Sequence, residues 1–112
     1  MQAKYRLKKN YQYNYVYKHA EKVSDRFFIV LYCESKVKQS KIGFSVSKKY
    51  GCAVVRNKLR RQMKSAAMQF ASKMVPYYNV VIVPRRMPPY NFCDVQNSLT
   101  NLFEKAGLVV NE

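Results

Sequence analysis

The residues best suited to chemistry in this chain are cations that recur one helical turn apart. Arg56, Arg60 and Lys64 follow one another at intervals of four residues, so at about 100° per residue they form one row along a helix. Asn57 and Arg61 widen this row on one side. A fixed row of positive charges that also donates hydrogen bonds is suited to binding the phosphates of a nucleic acid.

A charged helix face is more often only a solvated surface, on which acidic and basic residues four positions apart support each other. The balance of charge argues against that reading here. Residues 36–64 carry ten of the 21 Lys and Arg residues and none of the six Asp and Glu residues. Like charges would therefore repel each other at every turn of the helix, and a nucleic-acid backbone would relieve that repulsion.

The composition of the whole chain points to the same kind of partner. A formal net charge of +15 and a pI near 9.9 attract polyanions. An anionic membrane would attract such a chain too, but no stretch approaches the roughly 18 to 20 consecutive apolar residues of a spanning helix. The start of the chain leads into charge instead of an apolar signal core, so we expect one cytoplasmic domain, residues 1–112, and no membrane partner.

Residue types that perform catalysis are scarce and scattered. Cys33, Cys52 and Cys93 are odd in number and widely spaced, which disfavours both a disulfide framework and a zinc site. His19 is the only histidine, and the acidic residues occur singly, so a two-metal nuclease centre is not easily assembled. We therefore expect neither catalytic residues nor metal ligands in this chain.

The row of cations requires a helix, and hydrophobic patterns place that helix within an α+β chain. Leu59, Met63, Ala66 and Phe70 fall on an arc beside the row, so the helix can dock on a core. The predicted elements are a helix over residues 10–20 capped by Asn10, strands over 27–33 and 41–48, the basic helix over 55–74, a strand over 79–84, and a helix from 91–94 to Gly107. The predicted order is α-β-β-α-β-α, with a mixed central sheet.

Aromatic residues supply a second candidate binding surface. Tyr13 and Tyr17 share one face of the first helix, where they could stack on unpaired bases or belong to the core. The strand over residues 41–48 places Gly43, Ser45 and Ser47 on a face that could leave room for a ligand. Four phenylalanines are assigned to the core: Phe28, Phe44, Phe70 and Phe103.

Residues 41–61 contain the most specific motif in the chain. The segments KIGFSVSKK at 41–49 and AVVRNKLRR at 53–61, with Gly51 between them, closely resemble the signature of the protein subunit of bacterial ribonuclease P. Segments 6–10, 26–28, 80–85 and 98–103 resemble that family too, in the same order. The Arg-Asn-Arg motif of the family falls on Arg56, Asn57 and Lys58, and Lys64 stands where arginine is common. Lysine keeps the charge but loses the forked geometry of arginine.

The resemblance implies a compact α-β sandwich with a left-handed strand-helix-strand crossover, against the usual right-handed rule. It also implies that an RNA subunit is the catalyst, that Mg²⁺ is held mainly by that RNA, and that a cleft between the first helix and the sheet holds the 5′ leader of precursor tRNA. Tyr13 and Tyr17 would contact the leader, and either Leu31 or Tyr32 would line the cleft. The residues expected to contact the catalytic RNA are Lys48, Lys49, Arg56, Asn57, Lys58, Arg60, Arg61 and Lys64.

The function expected from this resemblance is that of the non-catalytic protein component of ribonuclease P. Its partners would be the catalytic RNA and precursor tRNA, with no obligate protein partner. An alternative from another class is a non-enzymatic basic RNA-binding or ribosome-associated protein, which the composition alone would serve equally well. A metal-dependent nuclease acting alone is the third and weakest hypothesis.

Overall fold

The computed structural model describes residues 7, 10–70 and 73–109. Three α-helices, four strands and one 3₁₀ turn follow one another along the described chain. In order they are α1 (Asn10–His19), β1 (Glu21–Ser24), β2 (Phe28–Glu34), β3 (Lys41–Phe44), the 3₁₀ turn (Lys48–Tyr50), α2 (Ala53–Met68), β4 (Tyr78–Pro84) and α3 (Phe92–Ala106).

The four strands form one mixed sheet in the order β1-β2-β4-β3. Strand β2 pairs antiparallel with both β1 and β4, whereas β3 pairs parallel with β4. Parallel neighbours need a long crossover connection, and α2 supplies it between β3 and β4. The predicted α+β class with a mixed central sheet is confirmed. The left-handedness of this crossover stays a prediction.

Strand β1 adds one element to the order expected from the sequence, which becomes α-β-β-β-α-β-α. Its four residues carry a single aliphatic side chain, Val23, so they give no hydrophobic pattern to detect. The strand exists because it pairs with β2, from Glu21 opposite Tyr32 to Ser24 opposite Ile29. Short, polar strands of this kind are typical of the edges of sheets.

The strand predicted over residues 41–48 ends at Phe44, so Ser45 and Ser47 lie beyond it. The predicted boundaries of the basic helix also need correction, whereas those of the last helix are confirmed. Helix α2 begins two residues earlier than expected and ends at Met68, not at residue 74. Met74 instead forms an antiparallel bridge with Val109. Helix α3 begins after Asn91, whose side chain accepts a hydrogen bond from the N–H of Cys93, and ends at Gly107 with φ of 72°, as helix-capping rules predict.

Helices cover both faces of the sheet. Helix α1 packs on one face through Val16, which is fully buried with Leu7, Cys33 and Val81. Helices α2 and α3 cover the other face and bury the larger core, which contains Phe28, Phe70 and Phe103; Phe44 is partly buried against it.

Two expectations concern residues outside this description. The predicted cap of α1 depends on the side chain of Asn10, and the first basic segment depends on residues 1–6, 8 and 9; these lie outside the described parts of the chain. Across the residues that are described, no helix combines the length and hydrophobicity needed to span a bilayer.

Candidate nucleic-acid interface

Helix α2 presents the predicted row of cations because the adjoining apolar arc is fixed in the core. Leu59, Met63 and Ala66 are at most 1% exposed, and Phe70 just beyond the helix is also buried. The arc predicted from the sequence is therefore confirmed. Since this arc cannot turn outward without exposing the core, the orientation of the row is set by packing.

The cations of α2 fall into two groups by exposure. Arg56, Arg60 and Lys64 are partly buried along the side of the helix, whereas Asn57, Lys58 and Arg61 are exposed. The predicted lysines of the preceding 3₁₀ turn, Lys48 and Lys49, are exposed as well. The structure thus brings these eight residues onto one helix and the turn that leads into it.

One arginine of the row, Arg60, is anchored by the protein itself. In Arg60, Nη2 donates to the carbonyl oxygen of Val46 at 3.2 Å and Nη1 donates to Oδ1 of Asn57 at 3.1 Å. A guanidinium has five N–H donors, so donors remain for a phosphate. The Nε atom of Arg56 is buried and finds no hydrogen-bond partner among the described residues.

The amino-terminal end of α2 is electropositive. The helix contains no acidic residue, and its unpaired backbone N–H groups add partial positive charge. This field acts on the thiol of Cys52, which lies at the N-cap: the backbone N–H groups of Val55 and Val54 lower its pKa, and Arg56 lowers it further. An anion near this end of the helix would be stabilised for the same reason.

Tyr13 of α1 lies directly on strand β3. A Cβ atom at Gly43 would lie 2.5 Å from the hydroxyl oxygen of Tyr13 and 2.7 Å from its Cε1 and Cζ atoms. The Tyr13 hydroxyl donates to the carbonyl oxygen of Leu7 at 3.3 Å, and the Leu7 N–H donates to Ile42 at 2.9 Å. The Tyr13 ring therefore occupies the space beside Gly43 that the sequence predicted for a ligand.

This packing brings the aromatic surface and the row of cations together. A cleft of about 370 Å³ is lined by Tyr13 from α1, Gly43 and Phe44 from β3, and Arg60 and Lys64 from α2. Tyr17 lies one turn along α1, 48% exposed, with its ring centroid 6.5 Å from that of Tyr13. The sequence placed Tyr13 on one helix and Arg60 and Lys64 on another, and it did not predict that these three share a cleft.

Strand β2 contributes an aliphatic side chain to the face that α1 covers. Leu31 packs against the small core of Leu7 and Val16, to which Tyr13 also belongs. Tyr32 packs against the larger core on the opposite side of the sheet, and its ring centroid lies 6.3 Å from that of Tyr78. Of the two candidates that the sequence left open, Leu31 is the one on the face of α1.

Substituting Gly43 by alanine should displace the Tyr13 ring, because the new methyl group would overlap it. The overlap falls on the far end of one side chain, so we expect the fold to persist with a loss of about 1 kcal/mol in the free energy of unfolding. Ring NMR resonances of Tyr13 report the displacement, and Ser45→Ala, two residues along the chain and just beyond β3, is the control. Unchanged Tyr13 resonances in Gly43→Ala would contradict this packing.

The described residues include no group of three or more His, Cys, Asp or Glu side chains that could hold a metal ion. The carboxylate of Asp25 is engaged by the protein: Oδ1 accepts from the N–H groups of Phe27 and Phe28 at 2.8 and 2.9 Å, and Oδ2 accepts from the hydroxyl of Ser98.

Comparison with known proteins places this geometry in context. The family model described as Ribonuclease P matches residues 1–107. The ribonuclease P protein component of Carboxydothermus hydrogenoformans is 42% identical over 81 residues, which cover 70% of each chain. That of Geobacillus thermodenitrificans is 34% identical over 110 residues, covering 96% of this chain and 90% of the relative.

Solved structures agree with this comparison. The RNase P protein of Staphylococcus aureus is 31% identical, with a TM-score of 0.84 over 95% of this chain and 98% of the other. The RNase P protein of Thermotoga maritima, at 24% identity and a TM-score of 0.79 over 89% of this chain and 96% of the other, shares the fold.

Proposed function

The chain belongs to the ribonuclease P protein family, whose members are components of the endoribonuclease that processes the 5′ ends of tRNA, and we propose that its own part in that reaction is to bind RNA. The RNA subunit would be the catalyst. The protein would hold both the catalytic RNA and the 5′ leader of precursor tRNA. Cytoplasmic location is part of the same proposal.

One observation carries this proposal furthest, namely the cleft shared by Tyr13, Arg60 and Lys64. A leader base stacked on Tyr13 would place the adjoining phosphates beside the cations of α2. The same helix presents Asn57, Lys58 and Arg61 outward, and these residues together with the row would contact the catalytic RNA. Substrate and catalyst would thus meet along one helix, which is what a protein that promotes cleavage without cutting must achieve.

The docking surface for the catalytic RNA comprises the eight predicted residues of the 3₁₀ turn and α2. Lys58 stands at the third position of the family motif. Its ammonium group would bind a phosphate as a point charge, whereas an arginine would donate two parallel hydrogen bonds. Arg60 and Arg61 keep the forked geometry, and Arg60 is already held in place by Val46 and Asn57. Tyr13 and Tyr17 form the leader-binding surface, with Leu31 on the adjoining sheet face.

Magnesium belongs to this proposal as a cofactor of the RNA. Hard cations such as Mg²⁺ prefer oxygen ligands, which RNA phosphates supply in abundance. The acidic side chains of this protein occur singly along the sequence, so the proposal assigns Mg²⁺ to the RNA and gives the protein the tasks of binding and orientation.

The proposal is tested by reconstitution. Purified protein should leave precursor tRNA intact, and addition of a bacterial ribonuclease P RNA with Mg²⁺ should produce cleavage at the 5′ end of the mature tRNA. At low Mg²⁺ concentration the RNA alone should be slower than the RNA with protein. Sustained cleavage by protein freed of contaminating nucleases would overturn the proposal in favour of a nuclease acting alone.

The RNA that copurifies with the protein from cells distinguishes this proposal from the alternative, a ribosome-associated RNA-binding protein. The proposal expects a single structured, non-ribosomal RNA at one copy per protein after purification under native conditions. Recovery of ribosomal RNA in its place would support the alternative.

A further inference from the structure

An apolar groove of about 250 Å³ lies beside the first turns of α2, outside the cleft that holds Tyr13. Its lining is Val54, Val55 and Leu59 on the helix side, and Pro88, Pro89 and Tyr90 from the loop before α3. Lys58 and Gln62 complete the helix side. The groove is distinct from the leader cleft in every residue that lines it.

Both walls of the groove are fixed before any partner arrives. Gln62 Nε2 donates to the carbonyl oxygen of Tyr90 at 2.9 Å, which joins the loop to α2. The Tyr90 hydroxyl accepts from the N–H of Arg86 at 3.0 Å and lies 2.7 Å from the carbonyl oxygen of the same residue. The Tyr90 ring packs 5.2 Å, centroid to centroid, from Phe28 in the core. A preformed groove binds with little loss of conformational entropy.

The groove exposes aliphatic surface where a helix normally presents polar side chains. Val54 is 76% exposed and Val55 36% exposed. Isolated exposed valines are common on protein surfaces, but here they adjoin Pro89, which is exposed too, and form one wall of a concavity. Contiguous apolar surface of this kind marks an interaction site more often than isolated residues do.

The charge around the groove selects the kind of occupant. Lys58 lines it, Asn57 and Arg61 lie next along the helix, and α2 contains no acidic residue. An occupant must therefore combine an apolar flat surface with negative charge. A nucleotide has both, because its base is apolar on each face and its phosphate is anionic.

We propose that this groove receives an unpaired nucleobase of the RNA subunit, with its phosphate beside Lys58. The inference rests on the proposed function for the identity of that RNA. It adds a site that contributes to binding through apolar contact, whereas the cations of α2 contribute through phosphates. A protein segment would have to bring acidic residues at matching positions, whereas RNA carries a phosphate at every nucleotide.

The two contributions are separable by salt titration of binding to a bacterial ribonuclease P RNA. The double variant Val54→Ala, Val55→Ala removes part of the apolar wall of the groove without changing the net charge. Because alanine favours helix, α2 should stay folded. We expect affinity to fall about five-fold or more at every salt concentration, since each substitution removes two methyl groups from the apolar surface that the base would cover. The slope of log K against log salt should stay unchanged, whereas Lys58→Gln should flatten it by about one.

Met68→Ala is the matched control, because Met68 is 57% exposed on the same helix but lies outside the groove. A photo-crosslinking residue at position 54 should mark an unpaired nucleotide of the RNA, and the same residue at position 68 should not. Unchanged affinity, a changed slope in the double alanine variant, or crosslinks to a protein would overturn the proposal. A wild-type protein that fails to bind the RNA would overturn the proposed function and this inference together.

Discussion

Replacing Arg56, Arg60 and Lys64 together by glutamine should weaken the salt dependence of binding to the ribonuclease P RNA. The slope of log K against log salt should fall in magnitude by about two to three units. Each lost phosphate contact lowers the slope of log K against log salt by somewhat under one unit. The affinity at about 0.1 M salt should fall on the order of a hundred-fold, since three such contacts are lost. Glutamine suits this test because it removes the positive charge while keeping a polar side chain that favours helix.

The control for this experiment removes the same number of charges elsewhere. Lys18, Lys22 and Lys36 are exposed and lie outside α2, so their replacement by glutamine lowers the general field equally but deletes no proposed contact. Circular dichroism confirms the fold of both variants. An unchanged slope in a folded α2 variant would mean that the row is only a solvated face, and the docking surface would then be sought at Arg85, Arg86 and the basic amino-terminal segment.

Tyr13→Ala combined with Tyr17→Ala should weaken the holoenzyme's binding of precursor tRNA that carries a leader, and should leave mature tRNA unaffected. Stacking is worth about 1 to 3 kcal/mol per base, so the loss should be roughly five-fold or more. The measurement is the dissociation constant of the holoenzyme for each RNA. Tyr11→Ala with Tyr15→Ala is the matched control, because both rings lie on α1 with 67% and 51% exposure and neither lines the cleft.

Gly43→Ala refines the same experiment. If the alanine methyl group acts by displacing the Tyr13 ring, it should weaken leader binding in the wild-type background and add nothing in the Tyr13→Ala background. Such non-additivity is expected of residues in contact. Equal losses for precursor and mature tRNA would instead make these tyrosines general RNA contacts.

The sequence by itself determined which face of α2 is buried and where α3 begins and ends. In α2, the positions of Leu59 and Met63 relative to Arg60 and Lys64 follow from the helical period alone, so the buried arc and the row of cations were predictable. In α3, Asn91 and Gly107 terminate the helix through backbone hydrogen bonds and a left-handed φ, which are properties of single residues. The specific motif of residues 41–61 also identified the family from the sequence alone.

Only the tertiary structure decided which of these surfaces meet. Local periodicity assigns a residue to a face but does not say what packs against that face, because the partner lies elsewhere in the chain. Strand β1 is visible only through its pairing with β2, and Leu31 is assigned to the sheet face that α1 covers only by the packing of that helix. The absence of a side chain at Gly43 admits the Tyr13 ring and so joins α1 to the cations of α2 in one cleft. The groove between Val54 and Pro89 likewise depends on two segments that are distant in sequence and are held together by Gln62 and Tyr90.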